Sequence, residues 1–179
     1  SIIFVLVNYR EKGIMKRLLV TPMRPIEFIS GQVLTRLIVS ILQVAVILSI
    51  AILIFKINMV GSYFLVLLLV LLGALLFISM GFAMSSFAKT QESAAPIANI
   101  IIFPMLFLSG VFFPIQAMPQ WLQNIAYYFP LRFLASSLRS VMTEGATLWD
   151  IRTNIYWLIV WSMIMIILAI IFFNFGQEE

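Results

Sequence analysis

The chain is 179 residues long, 63% hydrophobic and only 10% charged, against roughly 45–50% and about 25% in soluble globular proteins. A water-soluble fold of this size has no interior large enough for that much apolar surface, so a soluble enzyme is excluded first. Cysteine and histidine are both absent, which removes disulfide scaffolds, thiolate or imidazole metal sites, and Ser-His or Cys-His nucleophile pairs. The net charge is +4, and the placement of the cations is more informative than their sum.

The sequence opens at Ser1 and runs directly into the apolar stretch Ile2–Val7. Residues 1–7 are too few to cross a bilayer and read as the tail of a truncated span, with upstream sequence missing. They lack the basic leader and small-residue cleavage site of a secretory signal. Residues 8–28 follow with Arg10, Lys12, Lys16, Arg17 and Arg24, the densest basic cluster in the chain. Short loops rich in Lys and Arg stay on the cytoplasmic side, so this segment is expected in the cytoplasm. On a helix, Ile14, Met15, Leu18 and Leu19 share one face, and Thr21-Pro22 ends the pattern because the residue before proline is pushed out of the α region. Such an amphipathic segment lies along the inner membrane surface, either as a lipid-contacting anchor or as a docking element for a cytosolic partner.

A hydrocarbon layer about 30 Å thick needs about 20 apolar helical residues. Charge-free intervals supply four such stretches, at residues 37–55, 63–84, 94–115 and 155–173. Within lipid the backbone must satisfy its own hydrogen bonds, leaving helices or a closed barrel. Barrel strands alternate over about ten residues, whereas these runs are solid, so the fold is expected to be an all-α polytopic transmembrane bundle. It comprises four full spans plus the tail of a fifth. Alternation then puts residues 56–62 outside, 85–93 inside and 116–153 outside.

The second span holds Gly81-x-x-x-Ser85, a small-residue pair that lets helix backbones approach closely. In the third, Pro104 removes a backbone hydrogen bond at mid-span, and Ser109-Gly110 with Pro114 loosens the outer end. Asn99, the one amide in that span, is expected to be buried and to bond a neighbouring helix. Residues 116–152 are too polar to cross and too patterned for a plain loop, and read as a short external helical hairpin. Pro119 and Trp121 open its first helix, Pro130 breaks it, and a second helix carries Arg132 and Arg139 until Gly145 closes it. Trp121, Tyr127, Tyr128 and Phe129 suit the interfacial aromatic belt, so the pair should dip into the outer leaflet or lie upon it.

No catalytic or nucleotide-binding motif is present: there is no G-x-x-x-x-G-K-[ST], H-E-x-x-H or G-x-S-x-G. Nor do the spans carry Asp, Glu, Lys or Arg near their midpoints, so a proton relay or an ion-coupled midplane site is not indicated.

Three stretches resemble the permease subunits of type-2 ATP-binding cassette (ABC) exporters, the ABC-2 membrane domain. They are Arg10-Glu11-Lys12-Gly13 with Lys16–Pro22; Phe103–Pro114 with Met118–Leu122; and Pro130-Leu131 with Leu138-Arg139. The resemblance implies a six-span permease in the prokaryotic inner membrane, of which this chain holds spans three to six and the end of span two. It implies a cytosolic ABC ATPase as partner, carrying the ATP and magnesium, and a second permease copy as homodimer or related heterodimer. Membrane lipid is the remaining partner; no nucleic acid and no directly bound cofactor are implied. ATPase docking would fall on Glu11, Gly13, Lys16, Arg17, Leu18 and Thr21, and the pathway or its gate on Asn99, Pro104, Ser109 and Gly110. Pro119, Trp121, Pro130 and Arg139 would shape the external hairpin. Two positions depart from the family pattern: Ile14 stands where Thr is common after the glycine, and Arg132 replaces a small polar residue after Pro-Leu. On this reading the chain is not itself an enzyme and serves efflux, as of drug-like amphiphiles. The rival reading is a non-transporting membrane scaffold or assembly protein.

Overall fold

The computed structural model describes residues 2–14, 25–56, 58–88 and 90–172, and among these every regular element is helical. In order they are α1 (Ile2–Glu11), α2 (Pro25–Leu53), α3 (Tyr63–Ser85) and α4 (Gln91–Leu108), then a 3₁₀ turn (Ile115–Ala117). There follow α5 (Gln120–Ala126), α6 (Pro130–Arg139), a π-helical turn (Ser140–Glu144) and α7 (Arg152–Phe172). Four helices are long and apolar enough to cross a membrane: α2 from Glu27 onward, α3, α4 and α7. The protein is an all-α polytopic bundle.

Helix limits follow local chemistry more closely than charge-free intervals do. α2 begins at Pro25, twelve residues before Leu37, because proline suits a first helical turn and Glu27 complements the positive end of the helix dipole. Glu27 and Arg36 interrupt the apolar run without interrupting the helix. α4 stops at Leu108, short of residue 115, because Gly110 adopts φ +81° and turns the chain. Its N-terminus is fixed by Thr90 and Ser93, each side chain accepting from the other's backbone N–H.

α3 is the hub. Its most apolar stretch is 44% buried, against 0% for α2, 17% for α4 and 11% for α7. It packs on α1, α2, α6 and α7. Lipid is as apolar as leucine, so such helices associate through close packing rather than through hydrophobic gain. The small residues of α3 mark where it happens. A Cβ on Gly81 would collide with Ile2 Cγ2 of α1. One turn on, Ser85 is fully buried and its carbonyl accepts a hydrogen bond from Arg10 Nη1 at 3.2 Å. Gly81-x-x-x-Ser85 is therefore the seam for α1 of the same chain.

Two of the core clusters lie one beyond the other along the bundle, with Phe77 packed against both. Ile3, Val7, Met80, Met84, Ala94 and Ala98 pack toward the end where α1 stops, and Met105 extends the same cluster toward the last turn of α4. Val66, Leu69, Leu76, Val141, Ile151 and Leu158 pack at the other, hairpin end. The outward faces are apolar too: Leu34, Leu42 and Val46 on α2, Ile100 and Phe103 on α4, and Met163, Ile167 and Ile171 on α7 are all exposed. Helices apolar all round suit a hydrocarbon surrounding.

Candidate functional site

The hairpin of α5 and α6 turns back into the bundle. α6 has two unlike sides: Phe133, Leu134 and Leu138 pack into the core cluster at the hairpin end, while Arg132, Ser136 and Arg139 recur at helical spacing on another side. Leu134 reaches the backbone of Gly73, ten residues along α3, where a Cβ would lie 2.5 Å from its Cδ2. At 1.5 Å per residue that is about 15 Å into the helix, half the hydrocarbon thickness. The connecting residues Phe129 and Leu131 pack against the cluster that contains Met80, Met84 and Met105. Phe133 stacks on Trp157 of α7, with ring centroids 6.0 Å apart and planes 13° apart. The hairpin is a re-entrant wedge rather than a surface flap.

Its rim is tied down by backbone contacts. Val60 N donates to Met142 O at 3.2 Å, a Cβ on Gly61 would strike Val141 O, and Gly145 closes the π turn at φ +67°. Before α7, Asp150 Oδ2 accepts from Thr147 Oγ1 at 2.7 Å and Thr147 N at 2.8 Å. These two bonds to Thr147, aided by the nearby Arg152 charge, hold the Asp150 carboxyl below the usual carboxylate range.

Between the wedge and the end of α4 lies a cleft of about 420 Å³ lined by residues 109–116 with Arg132, Ala135, Ser136 and Arg139. Arg139 Nη2 donates to Gly110 O at 3.5 Å, and Asn154 Nδ2 donates to Ser136 Oγ at 3.1 Å. The Arg132 guanidinium lies over the Tyr127 ring, 3.8 Å from its centroid. A second cavity of about 330 Å³ runs along α7, lined by Tyr127, Tyr128, Phe133, Trp157, Trp161 and neighbours, and Arg132 lines it as well.

At the far end α1 grips the connection between α3 and α4. Arg10 meets the last turn of α3 through Ser85 O, where a cation complements the negative helix terminus. Glu11 Oε1 accepts from Gln91 N at 3.0 Å, satisfying a donor at the start of α4. Gly13, at φ +64°, ends this turn, with Lys12 N bonded to Asn8 O and Gly13 N to Arg10 O, both at 3.0 Å.

The residues singled out from sequence fall into separate places. Ser109, Gly110 and Arg139 meet at the cleft. Ser109 is buried and bonds locally, its Oγ donating to Leu106 O at 2.7 Å. Asn99 and Pro104 lie on the exposed face of α4, outside the cleft. The expected burial of Asn99 is thus corrected: α4 meets α1 and α6 through Ala94, Ala98 and Met105, which turns the Asn99 side outward. Pro119 precedes α5 as its cap, Trp121 is exposed, and Pro130 is the buried first residue of α6. Glu11 and Gly13 sit at the grip on α4, while Lys16, Arg17, Leu18 and Thr21 lie outside the described residues. Sequence reasoning assigned no role to Ser136, Asn154 or Gly73; the spacing of Ser136 between Arg132 and Arg139 was the available signal.

A four-span helical bundle with an inserted hairpin at one end and the grip of α1 on α3 and α4 at the other defines a multi-pass membrane protein. Residues 2–143 match the family described as ABC-2 type transporter, and the chain belongs to it. Among its relatives is the probable multidrug ABC transporter permease YbhR of Escherichia coli (strain K12), 29% identical over 157 residues, 88% of this chain and 41% of that protein. The linearmycin resistance permease protein LnrN of Bacillus subtilis (strain 168) is 28% identical over 142 residues, 79% of this chain and 37% of the relative. ABC transporter G family member 20 of Dictyostelium discoideum is 26% identical over 170 residues, 94% of this chain and 23% of the relative. The chain thus spans about two fifths or less of the length of these relatives. No solved structure matches it.

Proposed function

We propose that the protein is the membrane-embedded permease of an ATP-driven exporter, with its basic end in the cytoplasm against a separate ABC ATPase and a second permease copy beside it. Two relatives named as permeases, one multidrug and one of linearmycin resistance, support the class. The observation that carries the mechanism is the grip of α1 on both helices beside it. Arg10 holds the end of α3 and Glu11 the start of α4. α4 then runs the full length of the bundle, and residues 109–116 beyond it form one wall of the cleft.

A push on the basic segment by an ATPase would then reach the cleft along α4, whose internal Pro96 and Pro104 are the points where it can bend. Sub-ångström shifts at such a contact are amplified where packed elements have two discrete arrangements. Substrate would move along the exposed side of α4, past Asn99 and Pro104, toward the cleft at Ser109 and Gly110. The test is to replace both Arg17 and Leu18 with Asp in the full-length permease expressed beside its genomically neighbouring ATPase. Co-purification and ATP-dependent export are expected to fall at least tenfold with membrane insertion unchanged. Undiminished co-purification would contradict the docking assignment.

A further inference from the structure

The cleft and the cavity along α7 share a single side chain, Arg132. On one side of it are Ser136 and Arg139, with Arg139 seven residues and about 10 Å further along α6. On the other are Tyr127, Tyr128, Trp157 and Trp161, an aromatic trough reaching to Ile164. Ile164 is twelve residues into α7 from Arg152, about 18 Å below the rim. A compartment with two guanidinium groups in a largely apolar wall thus opens beside an aromatic one, with the Arg132 guanidinium at the junction.

Arg132 is placed where charge is costly. It sits on a wedge inserted among spanning helices, one turn below Ser136, and its described contact is the face of Tyr127. A cation–π contact of this kind offsets part of the desolvation. Intramembrane arginines face cavities, pair with something, and mark a ligand path. Among the described residues no carboxylate of the chain lines either compartment to pair with Arg132 or Arg139. Their planar guanidinium groups suit bidentate binding of a carboxylate, phosphate or sulfate.

We infer that Arg132 and Arg139 bind the acidic headgroup of an amphiphile whose hydrocarbon tail lies along Tyr128, Trp157 and Trp161. The inference rests on the permease reading, because it names the substrate class of the same cleft. The recognised chemistry is one anionic head joined to an apolar tail, whether that molecule is a bilayer lipid or a diffusible exported compound.

The experiment reads binding alone, without ATPase or flux, so its failure is distinct from failure of the permease reading. Full-length protein in phosphatidylcholine nanodiscs is titrated at pH 9 with 9,10-dibromostearate, and quenching of tryptophan fluorescence is followed. Saturable quenching is expected, with half-saturation at least tenfold lower than for the uncharged methyl ester. Arg132→Gln with Arg139→Gln should abolish that preference, while Arg132→Lys, which keeps the charge and guards against misfolding, should retain part of it. Discs containing phosphatidylglycerol separate the sources: displacement of the dibromostearate assigns the site to bilayer lipid, and persistence to a diffusible amphiphile. Equal binding of acid and ester, an unchanged preference in the double variant, or full competition by inorganic phosphate would overturn the inference.

Discussion

Leu134 of the re-entrant hairpin rests on the bare backbone of Gly73 at the middle of α3, its Cδ2 2.5 Å from the position a Cβ would take. This contact sets how deeply the wedge sits, and hence the depth of Arg132 two residues earlier. Gly73→Ala is expected to push Leu134 outward and destabilise the purified protein by about 1–3 kcal/mol, as overpacking does in other cores. Adding Leu134→Ala should recover part of that loss, which a double-mutant cycle on thermal unfolding in detergent measures. Strict additivity of the two substitutions would place the wedge's seat elsewhere.

Gly13 has no neighbour within 4 Å of a built Cβ, so its constraint is backbone alone, φ +64°. Gly13→Ala should strain the exit of α1 by about 1–2 kcal/mol, and Gly13→Asn by less, since Asn tolerates the left-handed region. Amide exchange at Lys12 and Gly13 is the readout, and it should quicken in that order.

Glu11 combines a hydrogen bond to Gln91 N with a charge at the start of α4. Glu11→Gln keeps an acceptor and loses the charge; Glu11→Ala loses both. Ala is expected to destabilise by about 1 kcal/mol and Gln by a fraction of that. If ATPase co-purification follows the same order as thermal stability, Glu11 acts through its hold on α4. If Gln and Ala weaken co-purification equally, the charge itself meets the partner.

The lowered pKa of Asp150 has a definite sign. Its carboxylate is favoured in the folded chain by Thr147 and Arg152, so it contributes stability above its ordinary value of 3.8 that is lost as pH falls through the lower folded value. Asp150→Asn should therefore melt below the wild type at pH 6, and the difference should close as pH drops beneath 3.8. Melting curves of both proteins across that range decide it; a gap that persists in acid would assign the effect to shape rather than charge.

The four spans were legible because charge-free length is a one-dimensional property that the bilayer imposes directly. Faces were not. In Ala94–Leu108 the buried Ala98 and exposed Asn99 are adjacent, and nothing in an all-round apolar helix says which one meets a neighbour. The early start of α2 escaped because Glu27 and Arg36 break the hydropathy pattern but not the backbone hydrogen bonds. The hairpin was visible from Pro119, Pro130 and Gly145, yet its depth depends on Gly73 meeting Leu134, sixty-one positions later. Arg132 stood out as a departure from the family pattern, but its seat between two cavities depends on how α6 packs against α4 and α7, which spacing along the chain does not carry.

The measurement that bears most directly on the whole mechanism uses the absence of cysteine from these 179 residues, with any cysteine elsewhere in the full-length permease replaced by serine. Ala135→Cys, in the cleft, is labelled with a membrane-impermeant maleimide in vesicles holding the full-length permease and its ATPase. The labelling rate is expected to change at least threefold between nucleotide-free and vanadate-trapped states, and to lose that response when Arg17 and Leu18 are replaced with Asp. An identical rate in both nucleotide states would contradict the coupling of the basic end to the cleft.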